Sequence, residues 1–357
     1  MTQQSDCGKK RTLLMLSWTV LVMACLFLST RISPITDVFS ALQSDLNSYV
    51  PLITSATWGG SWQRVGNEVK GIDKFYSVAV CENHVLAGSD KGVFSLKRPN
   101  SVWTHEQPAF SNAPTAVTFV PDNCAIAYSA SLGFGVWRGV YNDGDGWDWS
   151  RIDKDNHLSG ARSVIIVPAV IGSQETIYVA GEFGVMWLPS LPDTPQTWQA
   201  TNLTSLATSL TTDGGIVASY WNQGVYLRTG DGIWSPLGNS PPADKLVYQA
   251  AYDGQKGIVG TQTGAFRLTG GNWERISSID QTAFSVAVSP LGMFAGMRGR
   301  GIVGSSDGGA TWLPFDTGID KNNSEFQVRD LYLPPGNGGK CMLAATTTGI
   351  WQWGTCS

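Results

Sequence analysis

Charge is scarce in this chain. Charged residues make up 15% of its 357, against about 25% in an ordinary domain. That excludes a coiled coil, a helical bundle or a disordered chain, each of which needs far more charge. A basic excess is missing too: the formal net charge is −4, so there is no overall footprint for nucleic acid. Histidine is nearly absent, with only His84, His105 and His157 scattered along the chain. Neither a His-rich metal site nor His-driven acid–base catalysis is expected. None of the six cysteines belongs to a Cys-x-x-Cys pair, which removes zinc-ribbon and thioredoxin-like chemistry. No Gly-x-Ser-x-Gly elbow and no phosphate-cradling glycine loop occurs. The expectation is a protein without cofactor, metal or catalytic constellation. What the chain has in abundance is glycine and tryptophan, 41 and 15 residues.

The one long apolar run lies near the start. Lys9, Lys10 and Arg11 precede an uncharged stretch from Thr12 to Leu28, and only Arg31 follows it. A run of this length just crosses a hydrocarbon core of about 30 Å. The basic flank places the preceding residues in the cytoplasm and everything downstream outside. Residues 1–11 read as a cytoplasmic tail and 12–30 as a transmembrane signal anchor. A cleaved secretory signal is a second reading, although no small-x-small site follows the run. Lipidation at Cys25, within Val22-Met23-Ala24-Cys25, is a third. All three export the rest. Ser33-Pro34 is a helix start, and Ile35, Val38, Phe39, Leu42, Leu46, Tyr49 and Val50 recur at helical spacing before Pro51. Residues 31–57 therefore read as an amphipathic helical stalk, lying on the membrane or against the downstream domain.

From residue 58 the chain repeats. A Gly followed by an apolar and usually an aromatic residue opens at Gly92, Gly135, Gly184, Gly224, Gly264, Gly301 and Gly349, 37 to 49 residues apart. Trp62, Trp103, Trp149, Trp198, Trp234, Trp273 and Trp312 interleave with it. Two short alternating runs lie between each Trp and the next Gly, a third follows the Gly, and the Trp opens a fourth. Four short strands in about 40 residues is the signature of a β-propeller blade. The repeat is out of phase with the blade, so the first strand (Trp62–Val65) must complete the last blade. The fold expected for 58–357 is an all-β, seven-bladed propeller closed by its N-terminal strand, which removes the open edge.

Ser305-x-Asp307-x-Gly309-x-Thr311-Trp312 resembles the Asp-box, or BNR repeat, and Thr229-x-Asp231-Gly232-x-Trp234 is a shortened version. The chain is similar here to the Asp-box propellers: sialidases, xyloglucan hydrolases, sortilin-type receptors and the photosystem II assembly factors. The resemblance implies a turn-stabilising role for Ser305, Asp307, Gly309, Thr311 and Trp312. The sialidase pattern itself is not met, since Arg31-Ile32-Ser33-Pro34 stands beside the membrane run and the blades number seven rather than six.

Other candidates are weaker. Asp90, Glu182, Asp244 and Asp330 fall near strand ends that could face one another as a glycosidase pair. Asp143-Gly-Asp145-Gly-x-Asp148 looks like a calcium loop but lacks its downstream Glu, so a solvated acidic hairpin is the expectation. Asn202 and Asn322 begin glycosylation sequons. Cys7 and Cys25 aside, Cys81, Cys124, Cys341 and Cys356 form an even set in an oxidising compartment. A two-residue turn at Thr348-Gly349 would set Cys341 opposite Cys356 across a hairpin, and Cys81 would join Cys124 between adjacent blades.

In this phase one face carries the Asp-box turn and receives the chain from the stalk. The other carries the starts of the inner strands and the turns before each repeat Gly. Those turns hold Tyr76, Lys91, Phe134, Arg162, Glu182, Phe183, Trp221, Asn222, Lys245, Arg298, Arg300 and Arg329, a mixture of Arg and aromatics suited to hot spots. The bland alternative is that Phe134 and Phe183 pack locally and the charges are solvated. The functional expectation is a membrane-anchored, extracytoplasmic scaffold or assembly factor binding a protein, such as a subunit of a membrane complex. Arg162, Trp221, Arg298, Arg300 and Arg329 would carry most of the energy, with Tyr76, Phe183 and Asn222 beside them. The alternatives are a carbohydrate-active or carbohydrate-binding propeller and a receptor ectodomain; against the last, about eleven cytoplasmic residues leave no signalling domain.

Overall fold

The computed structural model describes residues 58–356, except 73, 110–112, 114, 144, 155–156, 169–174, 213–214 and 240–245. The expected tail, membrane anchor and stalk (1–57), and with them Asp244 and Lys245, lie outside the described residues. Among the described residues no helix is long and apolar enough to cross a membrane.

Seven four-stranded antiparallel sheets form a ring. In six of them the strands follow the chain from inside to outside. The seventh is built from Val328–Tyr332, Cys341–Thr346 and Gly349–Gly354, and Gln63–Arg64 adds the outer strand. Its register is Gln63 opposite Gln352 and Arg64 opposite Trp351. The seven-bladed, circularly closed fold expected from the repeat is therefore the fold observed. Blades are numbered here from the first complete one, Phe75–Ala109.

Each repeat Gly starts the third strand of its blade. All seven have positive φ, from 76° at Gly135 to 133° at Gly349, a conformation that costs an L-residue energy. Close approach adds a second reason: a Cβ on Gly184 would meet the Leu203 carbonyl, and one on Gly264 the Ile279 carbonyl. The tryptophans work at the seams between blades. Trp103 Nε1 donates to the Val65 carbonyl at 3.1 Å, Trp273 Nε1 to Leu237 at 2.8 Å, and Trp62 Nε1 to Phe315. In each case the acceptor closes the outer strand of the preceding blade. Seven apolar clusters fill the spaces between neighbouring blades. The core is thus a ring of interfaces rather than one centre.

Two disulfides, Cys81–Cys124 and Cys341–Cys356, are present. The first joins blades one and two. The second pairs the expected residues, but the register beneath it is not the expected one. Gly349 already pairs with Thr346, so the turn is Thr347-Thr348, and Cys341 faces Gly354 instead of Cys356. Gly354, at φ 74°, turns the chain back, and the Cys341 and Cys356 Cα atoms still come within 5.1 Å.

The chain direction defines two faces. The lower face carries both disulfides, the Ser305–Trp312 turn and the start of Gln63–Arg64. The upper face carries the starts of the inner strands and the turns before each repeat Gly.

Candidate functional site: the upper mouth of the central channel

The inner strands are Phe75–Cys81, Thr115–Val120, Ala161–Val167, Ala207–Thr211, Val247–Tyr252, Ala283–Ser289 and Val328–Tyr332. All seven converge on an axial cavity of about 760 Å³. Six of them are irregular at the same place. Register shifts between Phe75/Ser77, Ala161/Ser163, Ala207/Ser209, Val247/Gln249, Ala283/Ser285 and Val328/Asp330 leave one extra residue in each strand. Blade two is the exception, pairing Ala116 regularly with Ala130. A bulge re-aims its extra side chain. Here the extra residues are Tyr76, Arg162, Thr208, Tyr248, Phe284 and Arg329, and all six line the cavity at its upper mouth.

In four of the six bulged strands the residue after the bulge accepts a backbone N–H from a neighbouring blade. Val117 N–H donates to Ser77 Oγ at 3.0 Å, Leu210 N–H to Ser163 Oγ at 3.1 Å, and Val286 N–H to Gln249 Oε1 at 2.8 Å. Val78 N–H donates to Asp330 Oδ2 at 3.1 Å, which joins blade seven to blade one. Asp330 lines the channel and is half-buried, with its carboxylate largely desolvated. That desolvation pushes its pKa up to about 6, against the opposing bonds from Val78, Gln249 and Leu331.

Aromatic and cationic groups form a continuous ledge at the mouth. The Arg329 guanidinium stands 4.0 Å over the Phe284 ring and 5.5 Å from the Tyr76 ring. Phe284 meets Tyr248 edge-on at 5.0 Å, and Tyr248 meets Trp221 at 5.9 Å. Trp221 is 36% exposed, one of four large apolar side chains so exposed among the described residues. Burial lowers the Arg329 pKa, as does nearby Arg298, while Tyr76 and Tyr248 act the other way.

The candidates from the sequence divide accordingly. Tyr76, Arg162, Trp221 and Arg329 share the mouth. Arg298 and Arg300 sit outside it, paired with Glu325 at 2.8 Å and Asp280 at 3.3 Å. Asn222 is exposed on the Trp221 turn. Phe183 is partly buried and packs against the apolar cluster between blades two and three. Tyr248, Phe284 and Thr208 were not singled out by the sequence. The signal for them is an apolar residue and a polar residue on either side of the bulge position, in place of strict alternation.

The candidate carboxylates hold local structure. Asp90 accepts from Lys74 N–H at 3.4 Å and pairs with Lys91, and Glu182 pairs with Arg162. Asp143 pairs with Lys97 at 3.1 Å, and among the described residues no group of three His, Cys, Asp or Glu could hold a metal. The Ser305–Trp312 turn is bound by its own side chains. Asp307 accepts from Ala310 N–H at 3.0 Å, Thr311 N–H at 2.9 Å, Thr311 Oγ1 at 2.6 Å and Ser305 Oγ at 2.8 Å. Ser305 Oγ in turn accepts from Gly309 N–H at 2.8 Å. Desolvation alone would raise the Asp307 pKa; these bonds outweigh it and hold the carboxyl at about 2.

No protein-family model and no curated protein sequence matches the chain. Solved structures match by fold. The extracellular domain of a hybrid two-component system from B. thetaiotaomicron aligns with TM-score 0.61 and 14% identity over 82% of this chain and 40% of its own. The GH74 xyloglucanase from Xanthomonas campestris gives 0.59 and 15% over 82% of this chain and 53% of its own. The chain thus spans about two fifths of the former and half of the latter. YCF48 bound to D1 peptide gives 0.59 and 12% over 84% of this chain and 98% of that one. At these identities the likeness establishes the propeller fold that the strand pairing already defines.

Proposed function

We propose that this protein is a membrane-anchored, extracytoplasmic scaffold or assembly factor whose upper face binds a protein partner, a subunit of a membrane complex being the class intended. The observation that carries the reading is the continuous ledge Trp221–Tyr248–Phe284–Arg329–Tyr76. Exposed Trp beside Arg and Tyr is the composition of interface hot spots. Arg162 belongs to the same mouth, and Arg298, Arg300 and Asn222 extend it outward. A propeller of matching length solved with a bound peptide supports protein binding. The two disulfides support an oxidising compartment, and the Lys9–Arg11 flank with its apolar run supports the anchor and its orientation. The bonds of the Ser305–Trp312 turn support its reading as an Asp-box on the opposite face. Among the described residues the carboxylates Asp90, Glu182 and Asp330 are each engaged in local bonds, which favours the protein-binding reading over a glycosidase pair.

The test is affinity capture from solubilised membranes with the full-length chain as bait. Trp221→Ala should weaken retention of the wild-type partner by about 2 kcal/mol while the propeller melts unchanged. Arg298→Ala with Arg300→Ala should weaken it further. Retention that survives these changes and fails with Asp307→Ala would move the binding face to the other side of the ring.

A further inference from the structure

Two guanidinium groups at the upper mouth carry buried donors that the protein does not use. Arg329 Nε is buried without a hydrogen-bond partner, and so is Arg162 Nε. Arg162 spends its Nη2 on Glu182 at 3.1 Å. Among the described residues no carboxylate forms an ion pair with Arg329. Ser209 Oγ, beside Thr208 on the same cavity wall, is a third buried group without a partner. The two arginines hold equivalent positions in blades three and seven, each the extra residue of a bulge. The same backbone device therefore delivers both to one mouth.

A buried donor on a charged group is costly to leave unpaired. The acceptor that suits a guanidinium best is planar and anionic, and a carboxylate matches its fork. The surroundings say what should carry that carboxylate. Tyr76, Trp221, Tyr248 and Phe284 flank the mouth, and Val78, Val164, Leu210 and Val286 line the cavity with them. Its volume of about 760 Å³ is that of an ordinary small-ligand pocket. Charge sets a direction. Asp330 lies along the wall, and Glu82 and Asp122 line the cavity from hairpin turns at the lower end. A second negative group reaching down the channel would meet them.

We propose that the upper mouth is a binding site for a monocarboxylate on an aromatic or aliphatic stem. Arg329 receives the carboxylate, Arg162 is the second donor on the same mouth, and the stem packs among the rings. The inference rests on the upper face being the working face and names the chemistry engaged there. A free small acid and the chain end of a protein partner present the same group.

The probe is 4-phenylbutyrate, titrated into the purified full-length chain by calorimetry and ligand-observed NMR beside its uncharged amide. The acid should bind with Kd of about 1 mM or tighter, and the amide about tenfold more weakly or worse. This comparison uses the wild-type protein and does not depend on any variant folding. Arg329→Gln should weaken the acid about tenfold or more, and Lys256→Ala on the lower face should leave it unchanged. Acid and amide of equal affinity, no binding of either, or full affinity in Arg329→Gln overturns the proposal. A short peptide ending in Phe, with free or amidated C-terminus, separates the sources. Tighter binding of the free-ended peptide than of phenylbutyrate identifies a chain end, and the reverse a small acid. Partner capture that depends on Trp221 without acid binding would refute this site and leave the scaffold reading; acid binding without any captured partner would do the opposite.

Discussion

At the scale of single residues, two carboxylates push stability in opposite directions with pH. Asp330 has its folded pKa raised to about 6 by desolvation, above an unfolded value of about 3.9. The folded state binds this proton more tightly, so its contribution is complete below about pH 4 and lost as pH rises through 6. Two units would correspond to about 3 kcal/mol; access to the channel reduces that to roughly 1 kcal/mol. Asp330→Asn keeps an acceptor for Val78 N–H without the charge. It should stabilise the protein by about 1 kcal/mol at pH 7.5 and flatten the decline between pH 4 and 6 in urea titrations. An unchanged slope would mean that another group titrates there. Asp307 behaves conversely. Its pKa is held down at about 2, so its contribution is present above about pH 4 and fades as pH falls toward 2. Asp307→Asn should remove that acid-side loss and leave the range above pH 5 alone.

At the scale of elements, the seams between blades decide how much of the molecule could be read in advance. Glycine and tryptophan were legible because each answers a strict demand. A positive φ at the head of every third strand admits little but Gly, and each seam takes a large apolar side chain, in three cases with a reaching N–H. Trp273 and Trp234 test that reading as a pair. Both are buried, at 8% and 3% exposure, but only Trp273 Nε1 has an acceptor, Leu237 O, while Trp234 Nε1 has none. Trp273→Phe should therefore cost about 1 kcal/mol more than Trp234→Phe, measured by denaturant midpoint at equal slope. Equal losses would show that the indole bond adds nothing to packing. The bulges were harder to see. Their sequences run Phe75-Tyr76-Ser77, Ala161-Arg162-Ser163, Val247-Tyr248-Gln249 and Val328-Arg329-Asp330, alike only in an apolar first and a polar third residue. The middle residue faces the mouth and answers to no demand of the fold, so it varies. For that reason the sequence offered Arg329 and Tyr76 as turn residues and passed over Tyr248 and Phe284. The Cys341 register failed for a related reason. Gly349 looks like the tip of a turn, and only the backbone reveals it as the first residue of a strand.

At the scale of the whole molecule, the ring depends on one short strand. Gln63–Arg64 covers the edge of blade seven, with Val65 N–H donating to Ile350 O at 2.9 Å. Trp62, 3% exposed, fills the cluster between blades six and seven, and Val65 the cluster between seven and one. The same seam is held by Asp330 on Val78, by Trp103 on the Val65 carbonyl and by Arg98, whose Nη1 donates to Cys356 O at 3.1 Å. Both disulfides also lie on the lower face, one of them within blade seven itself. Removing residues 58–66 leaves most of these bonds in place but strips the outer edge of Gly349–Gly354, and with it the cover of Ile350, Trp351 and Trp353. A bare apolar edge recruits other chains. The deletion should produce oligomers by size exclusion and early proteolytic cuts in blade seven. A soluble monomer that melts as the parent does would falsify closure by this strand. Because the lost element pairs through its backbone, a synthetic peptide spanning 58–66 should dock on the open edge by strand addition. It should restore the monomer in proportion to its concentration, whereas a scrambled peptide of the same composition, with Trp62 and Val65 out of register, should not.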